Sequence, residues 1–301
     1  MGCLSMTDRH IEGPHGRIPV RVYPASGGAV GAAPGLVWLH GGGFAHGDLD
    51  MPEADWVASQ LAARGIGVVS VFYRLAPQVH VEPSDGALPE DGAHFPVPSD
   101  DVLAAFDWTV EHAAELGLDP ESISLGGASA GAALAAGAVV RMRDAGSRLP
   151  ERVLLAYPTV HAVLPEPSAE LAAKLVSLPE DRLFRPEAVA RMNLNYVGDP
   201  AALSNPHAFP GGHDVSGLPP TLVLNSDRDS LRSSGEAYAH ELRAAGVDVT
   251  CLFENDTTHG HLNRPELPGA LASLTTMAAW LLAPLDSTLV SHVPSSIKEA
   301  S

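Results

Sequence analysis

Gly126-Gly127-Ala128-Ser129-Ala130-Gly131-Ala132 is the stretch on which the reading of this 301-residue chain turns. A short apolar run, Glu121-Ser122-Ile123-Ser124-Leu125, leads into it. The alanine-rich segment Ala132 to Met142 follows and reads as a buried helix. Strand, glycine turn with a single serine, then helix is the context in which G-x-S-x-G forms a nucleophile elbow, a sharp turn that lifts Ser129 Oγ clear of the backbone. Gly127 and Gly131 serve that turn because a Cβ at either place would crowd the strand-to-helix approach. A serine among small residues also makes an ordinary helix N-cap. The elbow therefore depends on finding the rest of a hydrolytic apparatus elsewhere.

Upstream, Arg17 to Tyr23 alternates apolar and polar residues as a strand. Gly35-Leu36-Val37-Trp38-Leu39 is a buried strand that runs straight into His40-Gly41-Gly42-Gly43-Phe44. Ala54 to Arg64 reads as a helix stopped by Gly65, and Ile66 to Tyr73 as a β-branched strand ending in Tyr73-Arg74-Leu75-Ala76-Pro77. Residues 78–98 form a long acidic loop holding His80, Glu82, Asp85, Glu90, Asp91 and His94, a length that points to function or mobility. Ser99 to Leu116 is a helix with Ser99 as its expected N-cap.

Downstream of the elbow, Arg152 to Tyr157 is the next strand. The proline-rich segment 158–210 then breaks the alternation, with helical pieces near 168–176 and 186–196. The alternation resumes as strand Pro220–Ser226, helix Ser233–Ala245, strand Asp248–Glu254 and helix Leu267–Leu282. Strands alternating with helices predict an α/β fold with a mostly parallel central sheet and helices on both faces. The expected organisation is a discontinuous core (1–157 and 211–285), an inserted cap (158–210) and a loose polar tail (286–301). Trp38, Trp56, Trp108 and Trp280 fall on strand or helix faces and are assigned to the core.

A formal charge of -18 argues against a nucleic-acid partner, which would need a basic patch. Cys3 and Cys251 are the only cysteines, too few for a disulfide framework or a cysteine-rich zinc site. No apolar run is long enough to span a bilayer and no secretory leader is recognised, so the cytoplasm is the expected location. Met1-Gly2 does not complete a myristoylation pattern, because Met6 stands where Ser or Thr is required.

A serine hydroxyl is a poor nucleophile at neutral pH and needs a base, which a third group must orient. In a sheet of this kind, sites form beyond the carboxyl ends of the strands. The expected chain order is serine, then acid, then histidine. Two loops comply: Asp227-Arg228-Asp229 after one strand, and Asp256-Thr257-Thr258-His259-Gly260-His261 after the next. Asp227 competes with Asp229 for the acid, and Asp256 is a weaker rival. His40-Gly41-Gly42-Gly43 would supply free backbone N–H groups to an oxyanion. His259 and His261, with His80 and His94, could also be read as a metal set. No acidic ligand pattern accompanies them, so no metal is expected.

Together, His40-Gly41-Gly42-Gly43-Phe44, Tyr73-Arg74-Leu75-Ala76-Pro77, Gly127-Ala128-Ser129-Ala130-Gly131, Asp229-Ser230-Leu231-Arg232 and His259-Gly260 resemble the hormone-sensitive lipase family of α/β hydrolases. These are the bacterial esterases marked by an HGGG motif, and the resemblance spans roughly residues 15–283. It implies Ser129 as nucleophile, His259 as general base and Asp229 as the acid, with Ser230 in the place of the family's proline. It implies oxyanion donors at the N–H groups of Gly42, Gly43 and Ala130, a bracing role for His40, and no cofactor.

The chain departs from the family in several places. Only about fifteen residues precede Arg17, so half of the family's cap is expected to be missing. Loop 78–98 stands where the family has a short link. Ala128 replaces a frequent Asp, Ala132 a common Gly, and His261 the usual Phe. Phe44 and His261 are the expected pocket positions.

The implied activity is hydrolysis of small acyl esters through an acyl-enzyme, with a small-molecule ester as the partner. An amidase, a lactonase and an acyltransferase would use the same residues. A ligand-binding receptor on this scaffold would have lost a triad member, and here all three are present. A homodimer is compatible with the resemblance.

Overall fold

The computed structural model describes residues 6–26, 32–78, 92–284 and the strand at 297–299. Most of loop 78–98 therefore lies outside the described residues. The strands are β1 (Thr7–Ile11), β2 (Ile18–Tyr23), β3 (Ala33–Leu39), β4 (Gly67–Val71), β5 (Leu118–Ala128), β6 (Val153–Ala156), β7 (Thr221–Arg228), β8 (Val249–Thr258) and β9 (Ile297–Glu299). They form one nine-stranded sheet in the order β1-β2-β4-β3-β5-β6-β7-β8-β9. The six central strands run parallel, while β1 and β2 on one edge and β9 on the other pair antiparallel. The expected loose tail thus returns a strand to β8.

The helices are α1 (Asp55–Ala62), α2 (Val97–Glu111), α3 (Ala113–Leu116), α4 (Ala130–Asp144), α5 (Ala169–Leu175), α6 (Pro186–Val197), α7 (Arg232–Ala244) and α8 (Pro268–Leu282). The period-two geometry of a strand sends alternate side chains to opposite faces. Val37 and Leu39 join the core beneath α2, α4 and α7, whereas Leu36 and Trp38 join the one beneath α1 and α8. Both faces are covered, so the parallel strands read as nearly continuous apolar runs. The alanines of α4 let it lie close to its neighbours: a Cβ on Gly137 would sit 2.3 Å from the His207 carbonyl oxygen.

Ser99 is not the N-cap that the sequence suggested. The helix begins two residues earlier, with proline in its first turn, where a fixed φ and a missing N–H are tolerated. Ser99 is buried and its Oγ accepts from Arg141 at 2.8 Å.

Segment 158–210 leaves the sheet between β6 and β7 and carries α5 and α6. Gly198, at φ 71°, ends α6 in the left-handed conformation that L side chains avoid. The segment is tied down at both helices. Lys174 of α5 pairs with Asp227, and Tyr196 of α6 stacks on Phe44 at 4.1 Å.

Beyond Ser226 and Glu254 the β7–β8 ladder shifts register and then pairs Arg228 with Thr258. The residues that follow this last pair are Asp229 and His259, so they emerge side by side.

Glu254 on β8 is 3% exposed, and its Oε2 finds no hydrogen-bond partner among the described residues. Burial pushes its carboxyl up to about 7 from 4.5. Between those values the folded chain holds a proton that the unfolded chain has released, so stability falls as pH rises through the window. Glu254→Gln is expected to gain on the order of 2 kcal/mol at pH 8 and little at pH 4. Urea denaturation at the two pH values checks this, and an equal gain at both would refute it.

Candidate active site

Ser129 sits between β5 and α4 at φ 53°, ψ -118°, a strained conformation for a residue with a side chain. The glycines around it leave no room for a Cβ. One on Gly127 would lie 2.5 Å from the Gly131 carbonyl, and one on Gly131 would lie 2.4 Å from the carbonyl oxygens of Leu39 and His40. The turn is pinned by Ser129 N–H donating to the Ala156 carbonyl at 2.9 Å.

Ser129 Oγ lies 2.9 Å from His259 Nε2, and His259 Nδ1 lies 2.6 Å from Asp229 Oδ2. Asp229 is fully buried and its Oδ1 accepts the Leu231 N–H at 2.9 Å, so the carboxylate is held from both sides. Burial alone would lower the His259 imidazolium. The charge and hydrogen bond of Asp229, with the charge of Glu53, outweigh burial and hold it above its ordinary value.

Asp227 faces elsewhere. It pairs with Lys174 and with Arg232 at 3.2 Å, and accepts the Asp256 N–H at 3.1 Å. Asp256 sits at φ 57° in the turn beside it.

The glycine turn after β3 lies against the serine: a Cβ on Gly41 would be 3.1 Å from Ser129 Cβ. Gly42 and Gly43 have φ of 121° and 59°. The Gly42 carbonyl accepts from Ala45 N–H at 3.2 Å and His46 N–H at 2.9 Å, which closes the turn. A Cβ on Gly42 would meet the His46 carbonyl oxygen at 2.0 Å. The N–H groups of Gly42 and Gly43 have no protein acceptor among the described residues. Ala130 opens α4, where the first N–H groups of a helix have no partner within it.

His40 is buried under the turn. Its Nδ1 lies 2.7 Å from the Gly41 carbonyl oxygen, and its ring stacks on Tyr73 at 4.6 Å. The Tyr73 hydroxyl donates to the His40 carbonyl at 2.8 Å. Burial pulls the His40 pKa down, against the Gly41 hydrogen bond and the charge of Asp48.

The two expected pocket residues are placed differently. His261 is 2% exposed, with Nδ1 2.9 Å from Ser226 Oγ and Nε2 2.7 Å from Ser273 Oγ. Both ring nitrogens are taken, and burial pushes its pKa down to about 3, so the ring is a neutral part of the core. Phe44 is 1% exposed and its ring packs between Tyr196 and Phe209.

Segment 158–210 supplies the apolar neighbours instead. The Phe184 ring meets the His259 imidazole edge-on at 4.6 Å. Met192 Sδ lies 3.2 Å from where a Gly43 Cβ would be. No motif marked either residue in the sequence. Glu53, buried beside the glycine turn, was equally unmarked. Among the described residues no group of three or more His, Cys, Asp or Glu could hold a metal ion. No helix among them is long and apolar enough to cross a membrane.

A family model described as the alpha/beta hydrolase fold matches residues 36–263. The carboxylic ester hydrolase LipN of Mycobacterium tuberculosis is 36% identical over 282 residues, covering 90% of this chain and 68% of its own length. The ethyl acetate hydrolase of Pseudomonas putida is 32% identical over 262 residues, covering 85% of this chain and 74% of its own. Among solved structures, the thermostable carboxylesterase EstE1, cloned from a metagenomic library, superposes with a TM-score of 0.79 at 30% identity, covering 94% of this chain and 91% of that one.

Proposed function

Because the chain belongs to the hormone-sensitive lipase-like family of α/β hydrolases and is a carboxylic ester hydrolase, we propose that it cleaves small acyl esters through an acyl-enzyme formed on Ser129. The observation that carries this reading is the unbroken line of hydrogen bonds from Asp229 through His259 to Ser129. Ser129 Oγ attacks the ester carbonyl carbon while His259 Nε2 takes its proton. The tetrahedral oxyanion is met by the N–H groups of Gly42, Gly43 and Ala130, donors already in place before charge develops. Collapse breaks the bond to the alkoxy oxygen, which leaves with the proton from His259. Water then repeats the sequence on the acyl-enzyme and releases the acid. Asp229 holds the imidazole in the tautomer with its proton on Nδ1 and stabilises the imidazolium.

The small-acyl reading is supported by Phe184 against His259 and Met192 against Gly43, which put apolar side chains beside the base and beside the glycine turn. The relative named for ethyl acetate agrees with it. A series of p-nitrophenyl esters from acetyl to long acyl tests it. Turnover is expected to fall about tenfold or more beyond short chains, since each methylene excluded from a fitted pocket forfeits binding. A rate flat or rising with chain length would overturn the small pocket. No turnover of any ester by the folded protein would overturn the mechanism.

A further inference from the structure

Glu53, just ahead of α1, is 1% exposed, and a buried carboxylate persists only where donors compensate its lost hydration. Oε1 accepts the Gly41 N–H at 2.6 Å. Oε2 accepts from the Tyr157 hydroxyl and from Asn263 Nδ2 at 3.1 Å. Asn263 returns the contact, its Oδ1 accepting the Glu53 N–H at 3.1 Å. The Glu53 carbonyl accepts from Trp38 Nε1 at 2.8 Å. A Cβ on Gly41 would lie 2.5 Å from Oε1, so this glycine also admits the carboxylate.

The three donors come from three separate elements. Gly41 belongs to the turn that carries the oxyanion N–H groups. Asn263 lies four residues after His259. Tyr157 directly follows β6, and its ring meets the His259 imidazole edge-on at 5.1 Å. One carboxylate therefore joins the oxyanion turn to the turn of the base.

Two of the donors are N–H groups, which only donate, so the ionised carboxylate is the form that satisfies them all. Burial holds the Glu53 carboxyl above its ordinary value, and the hydrogen bonds of Tyr157, Gly41 and Asn263 and the charge of His259 offset that rise only in part. Around it, burial and then the charge of Glu53 keep the phenols of Tyr157 and Tyr73 protonated, and the charge of Asp229 adds to the effect on Tyr157. The one group facing Glu53 that gains positive charge during turnover is His259.

We propose that Glu53 is a positioning residue of the hydrolytic site: its carboxylate fixes the glycine turn against the histidine turn and, with Asp229, stabilises the imidazolium that forms on His259. The proposal rests on the Ser129–His259–Asp229 reading and adds a second negative group to it. Loss of that charge makes the imidazolium easier to deprotonate, so the acid limb of the pH profile moves down. A purely structural role would lower kcat and leave the limb in place.

The test is the pH dependence of kcat/KM on p-nitrophenyl acetate for the wild type, Glu53→Gln and Tyr157→Phe, with Ser129→Ala alongside. Gln keeps the shape of the side chain without the charge. Phe keeps the ring on His259 and removes one donor from the carboxylate. The acid limb of Glu53→Gln is expected to move down by about half a pH unit or more, with kcat falling about tenfold and KM changing little. Tyr157→Phe is expected to shift it the same way by less, and decides the matter if Glu53→Gln does not fold. An unmoved limb in the folded variants overturns the proposal while leaving the Ser129 reading intact. Turnover persisting in Ser129→Ala overturns both.

Discussion

Ser129→Ala is expected to lower kcat on the order of a millionfold while leaving the fold intact. In the proposed mechanism Ser129 Oγ is the atom that bonds to the acyl carbon, and its side-chain partner is His259 Nε2. Alanine retains the Cβ and the positive φ that the elbow already imposes on serine, so the strain of the turn is unchanged. The N–H groups of Gly42, Gly43 and Ala130 stay in place, and through them a residual acceleration of roughly a thousandfold over water is expected to survive. The check is turnover of p-nitrophenyl acetate together with labelling by a fluorophosphonate, with thermal melting to establish the fold. Turnover within tenfold of wild type, or stoichiometric labelling of the variant, would remove Ser129 from the mechanism.

Asp229→Asn is expected to cost about ten-thousandfold in kcat with little change in KM, for a reason specific to the geometry. Asp229 Oδ1 accepts the Leu231 N–H, while Oδ2 faces His259 Nδ1. In the asparagine variant the carbonyl oxygen is held at Leu231, so the NH₂ group turns toward His259. It obliges Nδ1 to accept, and the imidazole proton moves to Nε2. That nitrogen faces Ser129 Oγ and then has no lone pair to take the serine proton. The imidazolium also loses its nearest negative charge, so the acid limb of the residual activity moves to lower pH. Asp227→Asn serves as the control. It disturbs the pairing with Lys174 and Arg232 but leaves the imidazole alone, and should keep most of the activity. A larger loss from Asp227→Asn than from Asp229→Asn would reverse the assignment.

Much of this molecule is legible in the chain because the information is local. The continuous apolar run Gly35 to Leu39, the helix stop at Gly65, and the small residues around Ser129 each express a backbone preference or a steric limit set by neighbours in sequence. The alternation of strands and helices then requires a covered parallel sheet. Such a sheet places the strand-end residues, His40 to Gly43, Ser129, Asp229 and His259, on one edge.

Other features are decided only by which distant segments meet. Sequence offers Asp227 as a rival to Asp229 after the same strand, with only the Ser230-Leu231-Arg232 run favouring Asp229; the register of β7 against β8 brings Asp229 to His259 and leaves Asp227 with Lys174 and Arg232. His261 reads as a pocket residue two positions from the base, yet Ser226 and Ser273 bind both its nitrogens within the core. Glu53 carries no motif, and its partners Tyr157 and Asn263 lie 104 and 210 residues away along the chain. The chain by itself determined the sheet, the elbow and the order of serine, carboxylate and histidine at the strand ends, since these follow from local conformation. Tertiary structure alone decided which polar groups are buried together, because the stability of a buried charge or imidazole depends on donors and acceptors that only the folded sheet brings within reach.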